Sequence, residues 1–397
     1  MMKTKLLSYI AVMTMAVASL GFAEAPKNSN VTPPPAASTP RFVVPAAPDV
    51  AANAYMLVDA ATGTVLAEKN ADKRLAPASL TKLMSLYVIF KELAVDKIKL
   101  TDNVLISETA WRTGGSRMFV QVGTNVSIDN LLQGIIVASG NDATVALAEH
   151  VAGTQPAFVQ LMDAEAKTLG MTNSNYTDAT GLPDKNHYST ARDFSILSRA
   201  LIQDFPQYYH YFSEKWFTYN NVRQPNRNTL LWGNLNVDGL KTGHTDDAGY
   251  CLIGSAKQND MRLIAIVMGT KSEKARANAT QALLQYGFRF YKTQQVFGPN
   301  QTVTTARVYG GENKYLNVGV LQTLAVTRPA NVNANVTTDV HVKNPLRAPI
   351  MKGDVVGSIQ MNVDGKLLTT ANLVALEDDA KGGWWRRFID WFASIFA

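Results

Sequence analysis

Residues 77–93 read PASLTKLMSLYVIFKEL, and they predict the central helix of the fold. Apolar side chains dominate after Ser79, which predicts a buried helix over 79–93. Ser79 and Lys82 are three residues apart, so a helix places the hydroxyl and the amine on one face. Burial disfavours a charged lysine, and a neutral Lys82 can accept the Ser79 proton. The stretch therefore predicts an activated serine; the alternative is a helix-capping serine followed by a solvated lysine.

The chain around this helix alternates strand and helix patterns from about residue 42 to residue 292. Ala61-Thr62-Gly63 separates two short strands, which predicts a hairpin. Two continuous apolar runs, 250–256 and 261–268, flank a polar turn and indicate a buried central hairpin. Further helices are expected at 131–137, 143–151 and 273–291.

The pattern of the sequence changes after residue 295. Helical periodicity disappears between 296 and 380, and glycine-containing turns separate short β-rich runs. These runs are 303–308, 318–326, 336–342 and 355–361. We expect a small all-β domain, and since it lacks a cluster of catalytic residue types, we interpret it as a spacer or docking module.

The first 48 residues indicate export. Residues 1–23 combine two lysines, an apolar run and small residues at a cleavage position, which is typical of a signal peptide. An uncleaved anchor is the alternative, but the apolar run is shorter than the ~20 residues of a spanning helix. Residues 24–48 are rich in proline and form a spacer. The remaining chain is expected outside the cytoplasm.

The last 14 residues, 384–397, predict a short amphipathic helix. They read WWRRFIDWFASIFA, with the aromatic and aliphatic residues on one face and the polar residues opposite. Such a helix is too short to span a bilayer but suits the headgroup boundary. We expect peripheral attachment to the periplasmic face of the cytoplasmic membrane; the alternative is a helix docked on the protein's own core.

Composition excludes several classes of protein. The 397 residues contain 38 Lys plus Arg against 32 Asp plus Glu, a net charge of +6 that does not favour nucleic-acid binding. Cys251 is the single cysteine, so an internal disulfide is excluded, and with five scattered histidines no Cys/His metal cluster is expected. We predict no metal and no organic cofactor.

Two further motifs complete the candidate site. Ser139-Gly140-Asn141 lies between two apolar segments, where a hydroxyl can relay a proton and an amide can bind a substrate carbonyl. Lys241-Thr242-Gly243 precedes an apolar strand and offers cationic and hydroxyl donors for a carboxylate. Alone, each is also compatible with an ordinary turn or a charged edge strand.

The three motifs, taken in their order along the chain, resemble those of a known class of enzymes. Ser-x-x-Lys, Ser-x-Asn 60 residues later and Lys-Thr-Gly a further 102 residues on resemble the penicillin-recognising serine acyltransferases. Four stretches resemble the low-molecular-mass penicillin-binding proteins, the D-alanyl-D-alanine carboxypeptidases: PASLTKLM at 77–84, SGNDA at 139–143, RQPNRN at 223–228 and DGLKTGHT at 238–245. The resemblance runs from about residue 54 to the terminal helix.

The resemblance implies an architecture. It is an α/β (α+β) penicillin-binding or β-lactamase-like transpeptidase domain, with a central antiparallel sheet and a helical subdomain, over residues 49–295. A small all-β domain at 296–380 and the amphipathic helix at 384–397 follow.

The resemblance also implies a reaction. Ser79 attacks the carbonyl between the two D-alanines of a peptidoglycan stem peptide, and the acyl-enzyme is then hydrolysed. The implied roles are general base for Lys82, proton relay for Ser139, amide binding for Asn141, an oxyanion hole from the backbone of Ser79 and His244 beside Gly243, and carboxylate binding by Lys241, Thr242 and Arg276. β-Lactams would acylate the same serine.

Other functions stay open at this point. A D,D-endopeptidase that cleaves cross-links has the same chemistry, although related enzymes usually lack the terminal helix. A class A β-lactamase needs a glutamate between the second and third motifs, and no glutamate occurs between Glu165 and Glu214. A Ser-His-Asp hydrolase is a weaker alternative, because this chain has no Gly-x-Ser-x-Gly motif. A non-catalytic wall scaffold is a further alternative. The sequence is also compatible with a homodimer.

Overall fold

The computed structural model describes residues 44–395, apart from the side chains of residues 386 and 391–395. The expected signal peptide and most of the proline-rich spacer lie outside the described residues. The helices are α1 Lys82–Ala94, α2 Glu108–Arg112, α3 Ile128–Ile136, α4 Asn141–Ala152, α5 Gln155–Leu169, α6 Ala191–Asp204, α7 Glu273–Phe290 and α8 Trp384–Ile395.

The strands fall into a central sheet, the β domain and two small ribbons. They are β1 Ala54–Asp59, β2 Val65–Lys69, β3 Asn103–Leu105, β4 Asn125–Ser127, β5 Trp216–Tyr219, β6 Val222–Pro225, β7 Val237–Thr245, β8 Gly249–Gln258, β9 Met261–Thr270, β10 Tyr291–Phe297, β11 Thr302–Tyr309, β12 Tyr315–Gly319, β13 Leu324–Pro329, β14 Val336–Val342, β15 Leu346–Arg347, β16 Val355–Val363 and β17 Lys366–Ala375.

The central sheet is antiparallel and has the strand order β2-β1-β9-β8-β7. Successive side chains of a strand point to opposite faces. On β9, Ile264 and Ile266 join the core beneath the helical subdomain, whereas Leu263 and Val267 pack with Leu283 of α7. Both faces of β9 are therefore buried, which explains its continuous apolar run and confirms the predicted central hairpin.

The helix expected over 79–93 consists of two parts. Residues Ala78–Thr81 form a 3₁₀ turn, and the α-helix begins only at Lys82. Ser79 is half-buried in this turn, whereas Lys82 is fully buried at the first position of α1. The short turn therefore separates an accessible hydroxyl from a solvent-excluded amine.

The β domain has a six-stranded sheet of order β14-β16-β17-β12-β11-β15 and its own apolar core. The run at 318–326 is not one strand but parts of β12 and β13, because a turn interrupts it. The helix expected to reach residue 291 ends at Phe290, and β10 begins at Tyr291. β10 pairs with β13 and crosses the boundary expected between residues 295 and 296.

The β domain contacts the sheet domain through the hairpin between β1 and β2. The hydroxyls of Thr62 and Thr327 lie 2.7 Å apart, and Thr293 donates to the Asp59 carboxylate. At the other end of the β domain, Asp390 of α8 accepts a hydrogen bond from the Gly310 N–H at 2.9 Å.

The terminal helix exposes the aromatic side chains that the structure describes. Trp384, Trp385 and Phe388 retain 65%, 61% and 54% of their accessible surface. The alternative in which this face packs on the protein's own core does not hold for these three residues. Within residues 44–395, no helix combines the length and apolar character needed to cross a membrane.

Candidate active site

The 3₁₀ turn and the first turn of α1 bring Ser79 and Lys82 together. Lys82 Nζ lies 2.9 Å from Ser79 Oγ and 2.7 Å from the Thr180 carbonyl oxygen. Burial lowers the pKa of Lys82 to about 7, while the nearby Asp178 and Asp142 carboxylates partly oppose this shift. A substantial fraction of Lys82 is therefore the neutral amine near neutral pH, as a general base requires.

The Ser-x-Asn motif lies in the turn between α3 and α4. Ser139 has a positive φ of 57°, and its hydroxyl accepts a hydrogen bond from Lys241 Nζ at 2.8 Å. Asn141 donates from Nδ2 to the Gly114 carbonyl at 2.7 Å, whereas its buried Oδ1 has no hydrogen-bond partner in the described structure. This oxygen can accept an N–H from a substrate amide, because a buried acceptor gains free energy when it is paired.

Strand β7 carries the third motif along the opposite wall. Lys241 is buried with a relative accessibility of 2%, and its Nζ also contacts the Thr242 carbonyl oxygen at 3.0 Å. Burial, with the positive charges of Lys82, Arg227 and Arg276, lowers the pKa of Lys241 well below its ordinary value. The structure thus pairs Ser139 directly with Lys241, a contact that the sequence analysis did not predict.

Gly243 allows β7 to approach the nucleophile turn. A Cβ at this position would lie 3.0 Å from the Pro77 carbonyl oxygen and 3.2 Å from the Leu80 nitrogen. A side chain would force the two walls apart. The residue after Gly243, His244, is exposed and stacks on Tyr250 with ring centroids 3.9 Å apart.

Arg276 extends from α7 to the same wall. Its Nη1 donates to the Gly243 carbonyl at 3.2 Å, and its Nη2 lies 3.6 Å from the Glu273 carboxylate. The Arg276 side chain is largely buried although it comes from a helix on the far face of the sheet. Its guanidinium is thereby held at the edge of β7, where a carboxylate ligand would arrive.

These groups line a cavity of about 140 Å³. Six of the predicted site residues line it: Ser79, Ser139, Thr242, Gly243, His244 and Arg276. Three residues that were not predicted to take part also line it: Ser116, Arg227 and Glu273. Lys82, Lys241 and Asn141 do not line the cavity but contact groups in its wall. A larger cavity of about 630 Å³ lies between the β1–β2 hairpin and the β domain and contains none of the predicted residues.

Sequence reasoning missed Ser116 and Glu273, and it quoted Arg227 only as part of a motif. Arg227 could have been found, because it lies within the RQPNRN stretch that carries the resemblance. Ser116 has no such local signal. Its loop is held by the buried Asp142 carboxylate, which accepts from the backbone N–H of Met118 at 2.9 Å and of Phe119 at 2.8 Å.

The arrangement supports acyl transfer to a serine. A hydroxyl contacts a buried amine of lowered pKa, a second hydroxyl bridges to another lysine, and two guanidinium groups face the same cavity. The nucleophile and base are within hydrogen-bond distance, which is the geometry that nucleophilic catalysis requires. A cation-rich end and an unpaired amide oxygen indicate a substrate that carries both a carboxylate and an amide.

Comparison with known proteins identifies similar chains. The family model for D-alanyl-D-alanine carboxypeptidases matches residues 42–272, and the model for the C-terminal domain of penicillin-binding protein 5 matches residues 291–381. D-alanyl-D-alanine carboxypeptidase DacC of Escherichia coli is 45% identical over 367 residues, which is 88% of this chain and 92% of that protein. D-alanyl-D-alanine carboxypeptidase DacA of Haemophilus influenzae is 41% identical, covering 87% and 89% of the two chains.

A solved structure shares the architecture. Penicillin-binding protein 5 from Haemophilus influenzae superposes with a TM-score of 0.70 at 41% identity, over 86% of this chain and 100% of that one. The expected fold class is thereby confirmed.

Proposed function

This chain belongs to the D-alanyl-D-alanine carboxypeptidase family, and we propose how its own residues perform the reaction. The chain is a serine-type D-Ala-D-Ala carboxypeptidase that acts in peptidoglycan remodelling. In our proposal, Ser79 is the nucleophile and Lys82 is its general base. The observation that carries this assignment is the 2.9 Å contact between Ser79 Oγ and the fully buried Lys82 Nζ.

The acylation step begins with proton transfer from Ser79 Oγ to neutral Lys82 as Oγ attacks the carbonyl carbon between the two D-alanines. The C–N bond then breaks, and the departing amine takes up a proton that Lys82 supplies, with Ser139 as relay. The products are free D-alanine and an acyl ester on Ser79. Water hydrolyses this ester, with Lys82 again accepting and returning the proton.

Substrate binding in this proposal uses the groups that face the cavity. The terminal carboxylate contacts Thr242, Arg276 and Arg227, and Lys241 supports it electrostatically from behind Ser139. Asn141 Oδ1 accepts an amide N–H of the stem peptide. The backbone N–H groups of Ser79 and His244 bind the oxyanion, and such donors are each typically worth ~3 kcal/mol in the transition state. β-Lactams would acylate Ser79 because they present a carboxylate and a strained amide to the same groups.

The nucleophile assignment can be tested by intact mass spectrometry. After incubation with benzylpenicillin, the wild-type protein should gain the mass of one ligand, and Ser79→Ala should gain none. Ser213→Ala is a control that removes a serine hydroxyl elsewhere, because Ser213 is exposed, its Oγ donates to the His210 carbonyl at 2.8 Å, and it does not line the cavity. An adduct on the Ser79→Ala protein would overturn the assignment.

The endopeptidase, β-lactamase and scaffold alternatives can be distinguished by the substrates that the protein processes. Release of D-alanine from a diacylated Lys-D-Ala-D-Ala peptide is expected, together with slow hydrolysis of the penicilloyl adduct. Faster cleavage of a cross-linked dimeric muropeptide would favour the endopeptidase, and rapid turnover of benzylpenicillin would favour the β-lactamase. Failure to release D-alanine by a folded, acylated protein would favour the scaffold.

We also propose that the protein is exported and that α8 attaches it to the periplasmic face of the cytoplasmic membrane. The exposed Trp384, Trp385 and Phe388 support this, since tryptophan and phenylalanine suit the headgroup boundary. Replacing both tryptophans by alanine should move the protein from the membrane fraction to the soluble fraction and leave acylation intact. Unchanged fractionation would contradict the proposal, and Trp216→Ala, which removes an exposed tryptophan elsewhere, is the control.

A further inference from the structure

One loop outside the three motifs contacts the nucleophile helix at several points. This clamp loop, residues 176–187, connects the α5 region to α6. Ser85 Oγ donates to its Ala179 carbonyl at 2.6 Å, and Lys82 Nζ donates to its Thr180 carbonyl at 2.7 Å. Gly181 packs so closely on the Ala78 carbonyl oxygen that a Cβ would overlap it. The loop therefore covers the turn that holds Ser79.

The Asp178 carboxylate organises the part of the loop that meets Lys82. Its Oδ1 accepts hydrogen bonds from the Thr180 N–H at 2.6 Å, the Thr180 hydroxyl at 2.7 Å and the Gly181 N–H at 2.8 Å. Three bonds to one oxygen hold the Thr180 peptide in a single orientation. Burial alone would raise the pKa of the Asp178 carboxyl. Hydrogen bonds from His187 and Thr180 outweigh the effect of burial and hold this pKa well below its ordinary value, so the carboxyl stays ionised.

His187 connects this carboxylate to the nucleophile turn. Its Nδ1 lies 3.4 Å from Asp178 Oδ2, and its Nε2 lies 2.9 Å from Thr81 Oγ1. Thr81 stands between Ser79 and Lys82 in the sequence, and the imidazole is almost fully buried. The two ring nitrogens thus bridge the clamp loop and the 3₁₀ turn.

We propose that Asp178 and His187 are positioning residues that hold the Thr180 carbonyl on Lys82 Nζ and thereby aim the amine at Ser79. The inference rests on the proposed role of Lys82 as general base. A neutral amine has two N–H groups and one lone pair. An N–H held by Thr180 restricts rotation about the last bond of the lysine, so the lone pair is directed at the Ser79 hydroxyl 2.9 Å away.

The Asp178 carboxylate also acts on the protonation of Lys82. The charged groups that face this amine are Asp178 of the clamp loop, Asp142 of α4, Lys241 of β7 and Arg227 of the loop after β6. A nearby carboxylate favours the ammonium form. Removing the Asp178 charge while keeping its hydrogen-bond acceptor should therefore extend the neutral amine, and hence acylation, to lower pH.

The test measures the acylation rate constant k2 and the binding constant of a fluorescent penicillin from pH 5 to pH 9. Asp178→Asn keeps an acceptor for Thr180 and Gly181, so its limiting k2 should stay within about threefold, and its acidic limb should move roughly half a pH unit lower. Asp178→Ala and His187→Ala should each lower k2 about 10- to 100-fold, because small misplacements of reacting groups have effects of this size. Penicillin binding before acylation should change little, since neither residue lines the cavity.

Two controls separate positioning from general damage. Asp184→Asn removes an exposed carboxylate from the same loop, which accepts only from the Asn186 N–H at 2.7 Å, and it should leave the pH profile unchanged. His187→Asn retains a polar amide close to the Nδ1 position and should recover part of the k2 that His187→Ala loses. Active-site titration corrects each k2 for the folded fraction.

Normal k2 in both alanine variants would overturn the inference, as would an Asp178→Asn profile that coincides with wild type. The failure of the proposed function gives a different result: the wild-type protein itself would then show no adduct on Ser79, or Lys82→Met would acylate normally in the same assay.

Discussion

The two walls of the cleft each bury a lysine, but they surround it with different groups. On the α1 wall, Lys82 contacts Ser79 and a carbonyl and has Asp178 and Asp142 nearby, and its pKa is lowered to about 7. On the β7 wall, Lys241 contacts Ser139, and burial together with the charges of neighbouring cations lowers its pKa well below the ordinary value.

The difference between the walls indicates a division of labour. Two carboxylates balance the burial of Lys82, so the amine titrates near the working pH and can exchange a proton with substrate. The β7 wall has an excess of positive charge, which a carboxylate ligand would neutralise. Lys82 is thereby suited to proton transfer, whereas Lys241 lies near the guanidinium groups of Arg227 and Arg276, which are suited to binding an anion.

The largest effect is expected when the base is removed from the α1 wall. Lys82→Met keeps the apolar stem but has no proton acceptor, and the acylation rate constant with penicillin should fall ~10³- to 10⁴-fold. Lys91→Met on the same helix removes an exposed lysine that pairs with Glu165 and should be indistinguishable from wild type. A Lys82→Met protein that still acylates at a tenth of the normal rate would remove the contrast between the walls.

The pH profile tests which lysine provides the base. The neutral form of Lys82 is the reactive one, and its pKa is about 7. Acylation should therefore reach a plateau at alkaline pH, be half-maximal near pH 7 and fall about 50-fold from pH 7 to pH 5. Stopped-flow acylation across this range measures the midpoint. A rate that stays constant from pH 8 down to pH 5 would assign the base to a different group.

Loss of Arg276 should affect the β7 wall selectively. Arg276→Gln should raise KM about 10- to 100-fold for a D-Ala-D-Ala peptide with a free carboxylate, the loss of one charge-assisted interaction. The same peptide with a terminal carboxamide should react equally poorly with both proteins. Arg289→Gln, an exposed position on the same helix, is the control. Equal damage with both substrates would mean that Arg276 supports β7 through its bond to Gly243 rather than binding the carboxylate.

The smallest effect is expected at Glu273, the carboxylate that pairs with Arg276 at 3.6 Å. Its side chain is 71% exposed, so solvent screens its charge. Glu273→Gln should lower KM for the free-carboxylate peptide less than about threefold, and the difference should vanish in high salt. A rise in KM, measured at low ionic strength, would show that the ion pair orients Arg276.

Much of the fold could be predicted from the sequence where local patterns were strong. The hairpin of β8 and β9 could be predicted because both faces of the sheet are covered, which produces continuous apolar runs in these two strands. The helix α7 could also be predicted from the sequence. Strands β10 and β17 were missed. Their residues alternate between buried and exposed only partly, and their pairing depends on strands that are distant in the sequence.

The residues of the candidate site also differ in whether they could be predicted from the sequence. The motif residues were recognised, because their types and order resemble a known family. Three other lining residues are brought to the cavity only by the folding of their loops and of α7: Ser116, Arg227 and Glu273. The contact between Ser139 and Lys241 also depends on how closely β7 approaches the turn between α3 and α4, a distance that residue spacing does not contain.

The sequence by itself determined the nucleophile candidate, its order relative to the other motifs, and the division into an α/β part and a β part, because these depend on local periodicity and on residue identity. Only the tertiary structure decided the state of the two lysines and the role of the clamp loop. Burial, neighbouring charge and the Thr180 carbonyl act through space over a few ångströms, and for Lys82 they come from segments about 60 to 145 residues away along the chain.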